Sequence, residues 1–257
     1  MSSQELSARW SKISWLLPRK PKVEAKVRLF CFPYAGGGAS IFRSWGETLP
    51  SSIEVCAAQL PGREAKLNEP PYSQVAPLVE ATVEAIAPLL DKPCALFGHS
   101  MGAIICFELA RRLRRERGVE PAHLFVSGRR APQIPDKDSP TFDLPEAEFV
   151  EELRSLNGTP KEVLENDELR ALMLPLLRAD FSVCQNYTYS AEPPLSCPIT
   201  ALGGLQDFHV PRKFLEGWGE QTSAAFSVRM FLGDHFFLHP AQTQMLRIIA
   251  QELQAVR

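Results

Sequence analysis

A serine set between two glycines, directly after a short apolar run and directly before a helical one, constrains this chain more than any other feature. Cys94-Ala95-Leu96-Phe97 leads into Gly98-His99-Ser100-Met101-Gly102, and Ala103-Ile104-Ile105-Cys106-Phe107-Glu108-Leu109-Ala110 follows. The order is strand, sharp turn, helix, with Ser100 at the turn. The glycines leave room for a tight, strained backbone that thrusts the hydroxyl off the sheet edge. The helix that begins there aims unsatisfied N–H groups at whatever the hydroxyl attacks. The pattern is a nucleophile elbow, and it predicts that Ser100 takes an acyl group as an ester.

An elbow needs a sheet to stand on, and the rest of the chain supplies one. Short apolar, β-branched or aromatic runs at 27–32, 53–58, 94–97, 123–127, 199–203 and 228–232 read as buried strands. Between them, 74–90, 101–117, 211–221 and 240–256 have helical periodicity. Apolar strands alternating with helices predict an α/β fold, a mostly parallel sheet flanked by helices on both faces. The 257 residues suit one such domain. From about 131 to 194 the alternation stops. Pro132, Pro135, Pro140 and Pro145 are followed by a helix opening at Leu144-Pro145-Glu146-Ala147-Glu148 and a second one over 167–189. Asp167 reads as the N-cap of the second helix, which carries Leu169, Leu172, Met173, Leu176 and Leu177. This helical insertion is expected to form a lid or the wall of an acyl pocket; the plainer alternative is a structural cap.

A serine hydroxyl needs a base, and the base an orienting carboxylate. After an elbow the chain order is Ser, then Asp or Glu, then His. His235, in Gly233-Asp234-His235-Phe236-Phe237, follows the last strand directly and fits the base. His99, His123, His209 and His239 fit that place less well. Asp207, in Gly203-Gly204-Leu205-Gln206-Asp207, follows the preceding strand and fits the carboxylate, with Asp234 as runner-up. Asp143 and Asp180 fall in the insertion. The oxyanion of a tetrahedral intermediate needs two N–H donors. Met101 supplies one. The other is assigned to Ala35 in Phe32-Pro33-Tyr34-Ala35-Gly36-Gly37-Gly38-Ala39, with Tyr34 or Gly36 as alternatives. No Lys-Ser or Lys-Thr follows these glycines, so the loop is not a P-loop.

A net charge of −2 gives no pull toward nucleic acid or an anionic membrane. Six cysteines without a C-x-x-C pair suit buried thiols rather than a disulfide framework. In residues 1–26 the apolar patch Ile13-Ser14-Trp15-Leu16-Leu17 is too short for a signal-peptide core, and no run is long enough to cross a membrane. A cytoplasmic enzyme is expected. Arg111, Arg112, Arg114, Arg115 and Arg117 read as a solvated helix end favourable to the helix dipole, with docking of an acidic partner the minority reading.

Several further motifs fall in order: Gln59-Leu60-Pro61-Gly62-Arg63-Glu64, Gly128-Arg129-Arg130-Ala131-Pro132, Leu156-Asn157-Gly158-Thr159-Pro160 and Arg178-Ala179-Asp180-Phe181. With the Gly-rich loop, the elbow and the His235 segment, they give a chain that resembles the type II thioesterases, the stand-alone editing enzymes of polyketide and non-ribosomal peptide assembly lines. It is similar also to the animal thioesterase that releases medium-chain fatty acids. The resemblance spans residues 27–257 and leaves 1–26 as an N-terminal extension without an assigned role. It implies an α/β-hydrolase fold with a helical lid at about 131–194, and hydrolysis of acyl groups from the phosphopantetheine arm of an acyl or peptidyl carrier protein. It implies the triad Ser100, Asp207 and His235 and an oxyanion loop at Tyr34-Ala35-Gly36. The only phosphopantetheine involved is the one the substrate carries; no metal or bound cofactor is called for, and a monomer is expected. An esterase for small free esters, an acyltransferase with the same triad, and a non-catalytic binding module are the rivals.

Overall fold

The computed structural model describes Trp15, Leu16, 22–136, 138–254 and Val256. Of the apolar patch in the N-terminal extension, Ile13, Ser14 and Leu17 lie outside the described residues; the rest of 1–26 that lies inside is Trp15, Leu16 and 22–26. Six strands are described: β1 (Val27–Phe32), β2 (Ile53–Ala57), β3 (Cys94–His99), β4 (His123–Ser127), β5 (Ile199–Gly204) and β6 (Phe226–Phe231). They form one sheet in the order β2-β1-β3-β4-β5-β6, and every pair is parallel. All residues of β1 to β5 are buried, the reason their sequences are apolar without alternation. The edge strand β6 is only half-buried. It begins two residues earlier than the apolar run suggested and ends at Phe231, paired with Gly204; Leu232 turns out into solvent.

Two cores follow from the pleat. Phe30 and Phe32 face one way, toward helices α2 (Val75–Ile86) and α3 (Met101–Arg117). Leu29 and Cys31 face the other, toward α1 (Trp45–Thr48) and the last helix, α8 (Gln242–Leu253). Three of the predicted flanking helices are shorter than their periodicity, and 240–256 narrows to α8. The segment 74–90 is α2 followed by a 3-10 turn, Ala87–Leu89. The segment 211–221 is α7 (Arg212–Glu216) followed by another, Gly217–Gln221. Trp15 and Leu16 close the far edge: Leu16 pairs antiparallel with Ala58, and Gln59 N–H donates to Trp15 C=O at 2.8 Å.

The segment 131–194 carries three helices, α4 (Glu146–Leu156), α5 (Lys161–Glu165) and α6 (Asp167–Gln185). They share a small core of their own, Phe149, Val150, Leu153, Leu164, Leu174 and Leu177. The cap of α6 is Asn166, not Asp167: the Asn166 side chain accepts from Leu169 N–H at 3.0 Å, and Asp167, one step inside, pairs with Arg170 at 2.6 Å. Both residue types cap well; Asn166 is the one in extended backbone. The helix ends at Gln185, because Tyr187 and Tyr189 leave it to hydrogen-bond Glu108 and Gln221.

The chain places β2 on one side of β1 and β3 on the other. The loops leaving β1 and β3 therefore diverge at the switch point, where a ligand crevice forms at the carboxyl ends of the strands.

Candidate active site

Ser100 stands between β3 and α3 with φ 53° and ψ −109°, a conformation that costs an L-residue about 1–3 kcal/mol. Its neighbours over-determine it. Ser100 N–H donates to Ser127 C=O at 2.7 Å, and Ser100 C=O accepts from Ala103 N–H at 3.0 Å. Neither Gly98 nor Gly102 has positive φ. Their role is close approach: a Cβ on Gly98 would run into the Gly102 carbonyl, and one on Gly102 into the carbonyl of Phe32. The strain sits in the serine, and the glycines let β1, β3 and α3 close around it.

The register brings the next part level with the elbow. Phe32 pairs with Gly98, so the loop after Phe32 runs beside Ser100. In that loop Gly37 N–H donates to Tyr34 C=O at 2.9 Å, closing a turn whose third residue, Gly36, has φ 77°. All peptide bonds here are trans, so the Ala35 N–H points away from the Tyr34 carbonyl. Among the described residues neither Ala35 N–H nor Met101 N–H has a hydrogen-bond partner. Gly36, an open alternative as donor, is spent elsewhere: its N–H donates to Asp180 Oδ2 at 2.7 Å.

Asp207 and His235 meet across the ends of β5 and β6. His235 Nδ1 lies 2.7 Å from Asp207 Oδ2. The other oxygen, Oδ1, accepts from His209 N–H at 3.1 Å and Val210 N–H at 3.0 Å. Burial pushes the Asp207 carboxyl upward, but the hydrogen bond and charge of His235 and the two N–H donors outweigh it and hold it below the ordinary carboxylate value. The Asp207 side chain is fully enclosed and that of His235 is 22% exposed, so the imidazole is the accessible member of the pair. The runner-up, Asp234, accepts from Phe236 N–H at 2.8 Å and serves the turn. Behind the pair lies His99, its ring 5.3 Å from that of His235 and its Nδ1 2.8 Å from Ser127 Oγ. Burial first, then the neighbouring His235, holds it well below the usual histidine value, so it is neutral.

Tyr34, Ala35, Ser100 and His235 line one cavity of about 510 Å³. Its remaining wall comes largely from 131–194, with Leu153, Leu156, Leu177 and Phe181 apolar and Thr141 and Gln185 polar. The ordered motifs also converge here. Arg63 forms a bidentate pair with Asp180, both bonds 2.8 Å, and donates to Gly37 C=O at 3.0 Å. Glu64 holds Ser40, just past the glycines. Sequence reasoning singled these motifs out but gave Arg63, Glu64 and Asp180 no role. The signal was their membership in an ordered set; the partners lie 117 residues apart.

The arginine run is not merely solvated. Arg111 is buried against Glu108 and Glu192, and Arg114 and Arg115 also hold Glu192. The run ties α3 to the segment that returns to β5. Among the described residues no group of three or more His, Cys, Asp or Glu is placed to hold a metal, and no helix is long and apolar enough to cross a membrane.

Residues 27–253 match the family model of the thioesterase domain. The chain is 50% identical over 242 residues to the gramicidin S biosynthesis protein GrsT of Aneurinibacillus migulanus, covering 94% of each. It is 49% identical over 244 residues to LgrE of Brevibacillus parabrevis, known as linear gramicidin dehydrogenase, covering 94% of this chain and 93% of that one. Its fold superposes on the type II thioesterase BorB of the borrelidin biosynthetic cluster with a TM-score of 0.85 at 35% identity, over 93% of this chain and 98% of BorB.

Proposed function

The chain belongs to the thioesterase family and hydrolyses thioester bonds, and from that premise we propose that it removes acyl groups from the phosphopantetheine arm of acyl or peptidyl carrier proteins in polyketide or non-ribosomal peptide biosynthesis. The observation that carries the site reading is the Asp207–His235 contact of 2.7 Å in the same cavity mouth as a serine held at φ 53°. The names of GrsT and BorB support the biosynthetic setting.

In this reading Ser100 Oγ attacks the thioester carbonyl carbon, and its proton passes to His235 Nε2. Asp207 holds the tautomer with Nδ1–H and stabilises the imidazolium. The oxyanion rests on the N–H groups of Met101 and Ala35. The C–S bond then breaks, and the sulfur takes the proton from His235. Water, deprotonated by the same imidazole, attacks the ester carbonyl; the C–Oγ bond breaks, Ser100 recovers its proton and the carboxylic acid leaves. No step needs a metal or a bound cofactor. The helices of 131–194 act as the wall of the acyl pocket.

The test is mass spectrometry of carrier proteins loaded with a series of acyl groups. Wild type should discharge the carrier and release free acid, and Ser100→Ala should not. If neither touches the carrier while the wild type cleaves free esters, the carrier reading fails. Acyl groups appearing on an added amine or alcohol would make the protein a transferase. A redox reaction, which the name of LgrE raises, predicts instead a two-electron change in the mass of the acyl group and no free acid.

A further inference from the structure

A loop of three successive glycines has little backbone preference of its own. Here each peptide plane from 34–35 to 37–38 is nonetheless fixed. The Gly37 N–H to Tyr34 C=O bond orients the first and third, Gly36 N–H to Asp180 Oδ2 at 2.7 Å the second, and Arg63 Nη1 to Gly37 C=O at 3.0 Å the fourth. The two side chains that reach in are 5% and 2% exposed and share two bonds of 2.8 Å. A buried ion pair is seldom the cheapest way to stabilise a core, since apolar residues of the same volume serve as well or better. This one also bonds two consecutive loop residues, Gly36 and Gly37, while Arg63 Nε donates to Pro61 C=O at 3.2 Å. Asp180 belongs to α6, and Leu177 on the same helix lies so close to Gly36 that a Cβ there would come within 2.6 Å of Leu177 Cδ2.

We propose that Asp180, on the insertion helix, is the positioning residue of the oxyanion loop: paired with Arg63, it fixes the Gly36 and Gly37 peptides and thereby aims the Ala35 N–H at the reacting carbonyl. The site is then complete only with α6 seated on the loop. This rests on the reading of Ser100 and Ala35 given above.

The proposal separates from a packing role by where the loss falls. Asp180→Ala, and the charge-free pair Arg63→Met/Asp180→Leu, should each lower kcat by about 10²-fold, the usual effect of one lost oxyanion donor, with KM within about 3-fold. An alkyl boronic acid, which forms a tetrahedral adduct on serine, should lose affinity in step with kcat. A thioether analogue of the substrate, which has no carbonyl, should bind as before. Asp180→Asn keeps an oxygen for Gly36 and should recover most of the kcat that Asp180→Ala loses. The proposal is overturned if the paired variant melts like wild type and turns over within about 3-fold of it, if thioether and boronate affinities fall together, or if Asp180→Asn recovers nothing. Ser100→Ala is assayed alongside: full turnover there would refute the nucleophile, a different failure from that of the clamp.

Discussion

The cavity has two walls of different origin. One is the carboxyl edge of the sheet, where Ser100, Asp207 and His235 each stand one to four residues beyond a strand; β3 and β5 are held by neighbours on both sides, and the edge strand β6 by β5 alone. The other is the segment 131–194, three helices around a private core, joined to the body by Val183 in the main core and by polar contacts such as Asp180 to Arg63 and Ser182 Oγ to Ser73 C=O. Both walls bury a carboxylate against a cationic or ionisable partner at 2.7–2.8 Å. Asp207 holds an imidazole that is partly exposed. Asp180 holds a guanidinium, a planar fork of donors matched to a carboxylate. In the proposed mechanism the first contact serves proton transfer, and in the proposed clamp the second serves geometry; the partner's chemistry makes the difference.

Substitutions should separate the two walls. The largest effect belongs to the sheet edge: Asp207→Asn should reduce kcat by about 10⁴-fold with little change in fold, because the amide favours the wrong imidazole tautomer. Steady-state rates on an acyl-thioester measure it, and a loss no larger than that of Asp180→Ala would erase the division of labour. Next, Leu177→Ala in the insertion should cost about 3 kcal/mol in urea unfolding, for the lost side chain and the space left behind. It should also shift preference toward bulkier acyl groups, since Leu177 lines the cavity. An unchanged chain-length profile would remove α6 from the pocket wall.

Histidine titration should act on the body and not on the insertion, which contains no histidine. His123, stacked on Phe125 and bonded to Thr200 Oγ1 at 2.9 Å, is pushed down to about 4 by burial. The unfolded chain protonates this group below about pH 6.5 and the folded chain does not until about pH 4. The unfolded state thus binds more protons in that window, and stability falls as the pH falls, by about 1.4 kcal/mol per unit for this one side chain. His123→Gln should lose about 2 kcal/mol less than wild type between pH 6.5 and 5. Equal slopes for the two proteins would sink the assignment. The smallest effect is expected at the solvent face of the insertion, where Lys161 and Glu165 pair at 3.3 Å while largely exposed. Lys161→Ala should change stability by no more than about 0.5 kcal/mol.

The sheet was legible because its information is local. Strands buried on both faces are written as apolar runs, and the six strands lie within two residues of where those runs predict. The edge strand was misplaced by two residues because its half-buried side chains do not form such a run. Within the insertion, Asn166 and Asp167 offered equally good caps one residue apart, and only the backbone conformation chose between them. The third helix, Lys161–Glu165, is too short to show a period. In the site, Ser100, Asp207 and His235 could be picked by their order after strands. Arg63 and Asp180 could not be joined, because nothing in a sequence ties residues 117 apart.

What the amino-acid sequence determined by itself was the elbow, the alternation that makes a parallel sheet, and the order of its polar residues, since each depends on neighbours within a turn or a strand. Tertiary structure decided which N–H groups of the Gly-rich loop stay unpaired, and which carboxylate meets imidazole and which meets guanidinium. Those choices depend on strand register and on where an insertion helix comes to rest, and both are settled by packing across the whole chain.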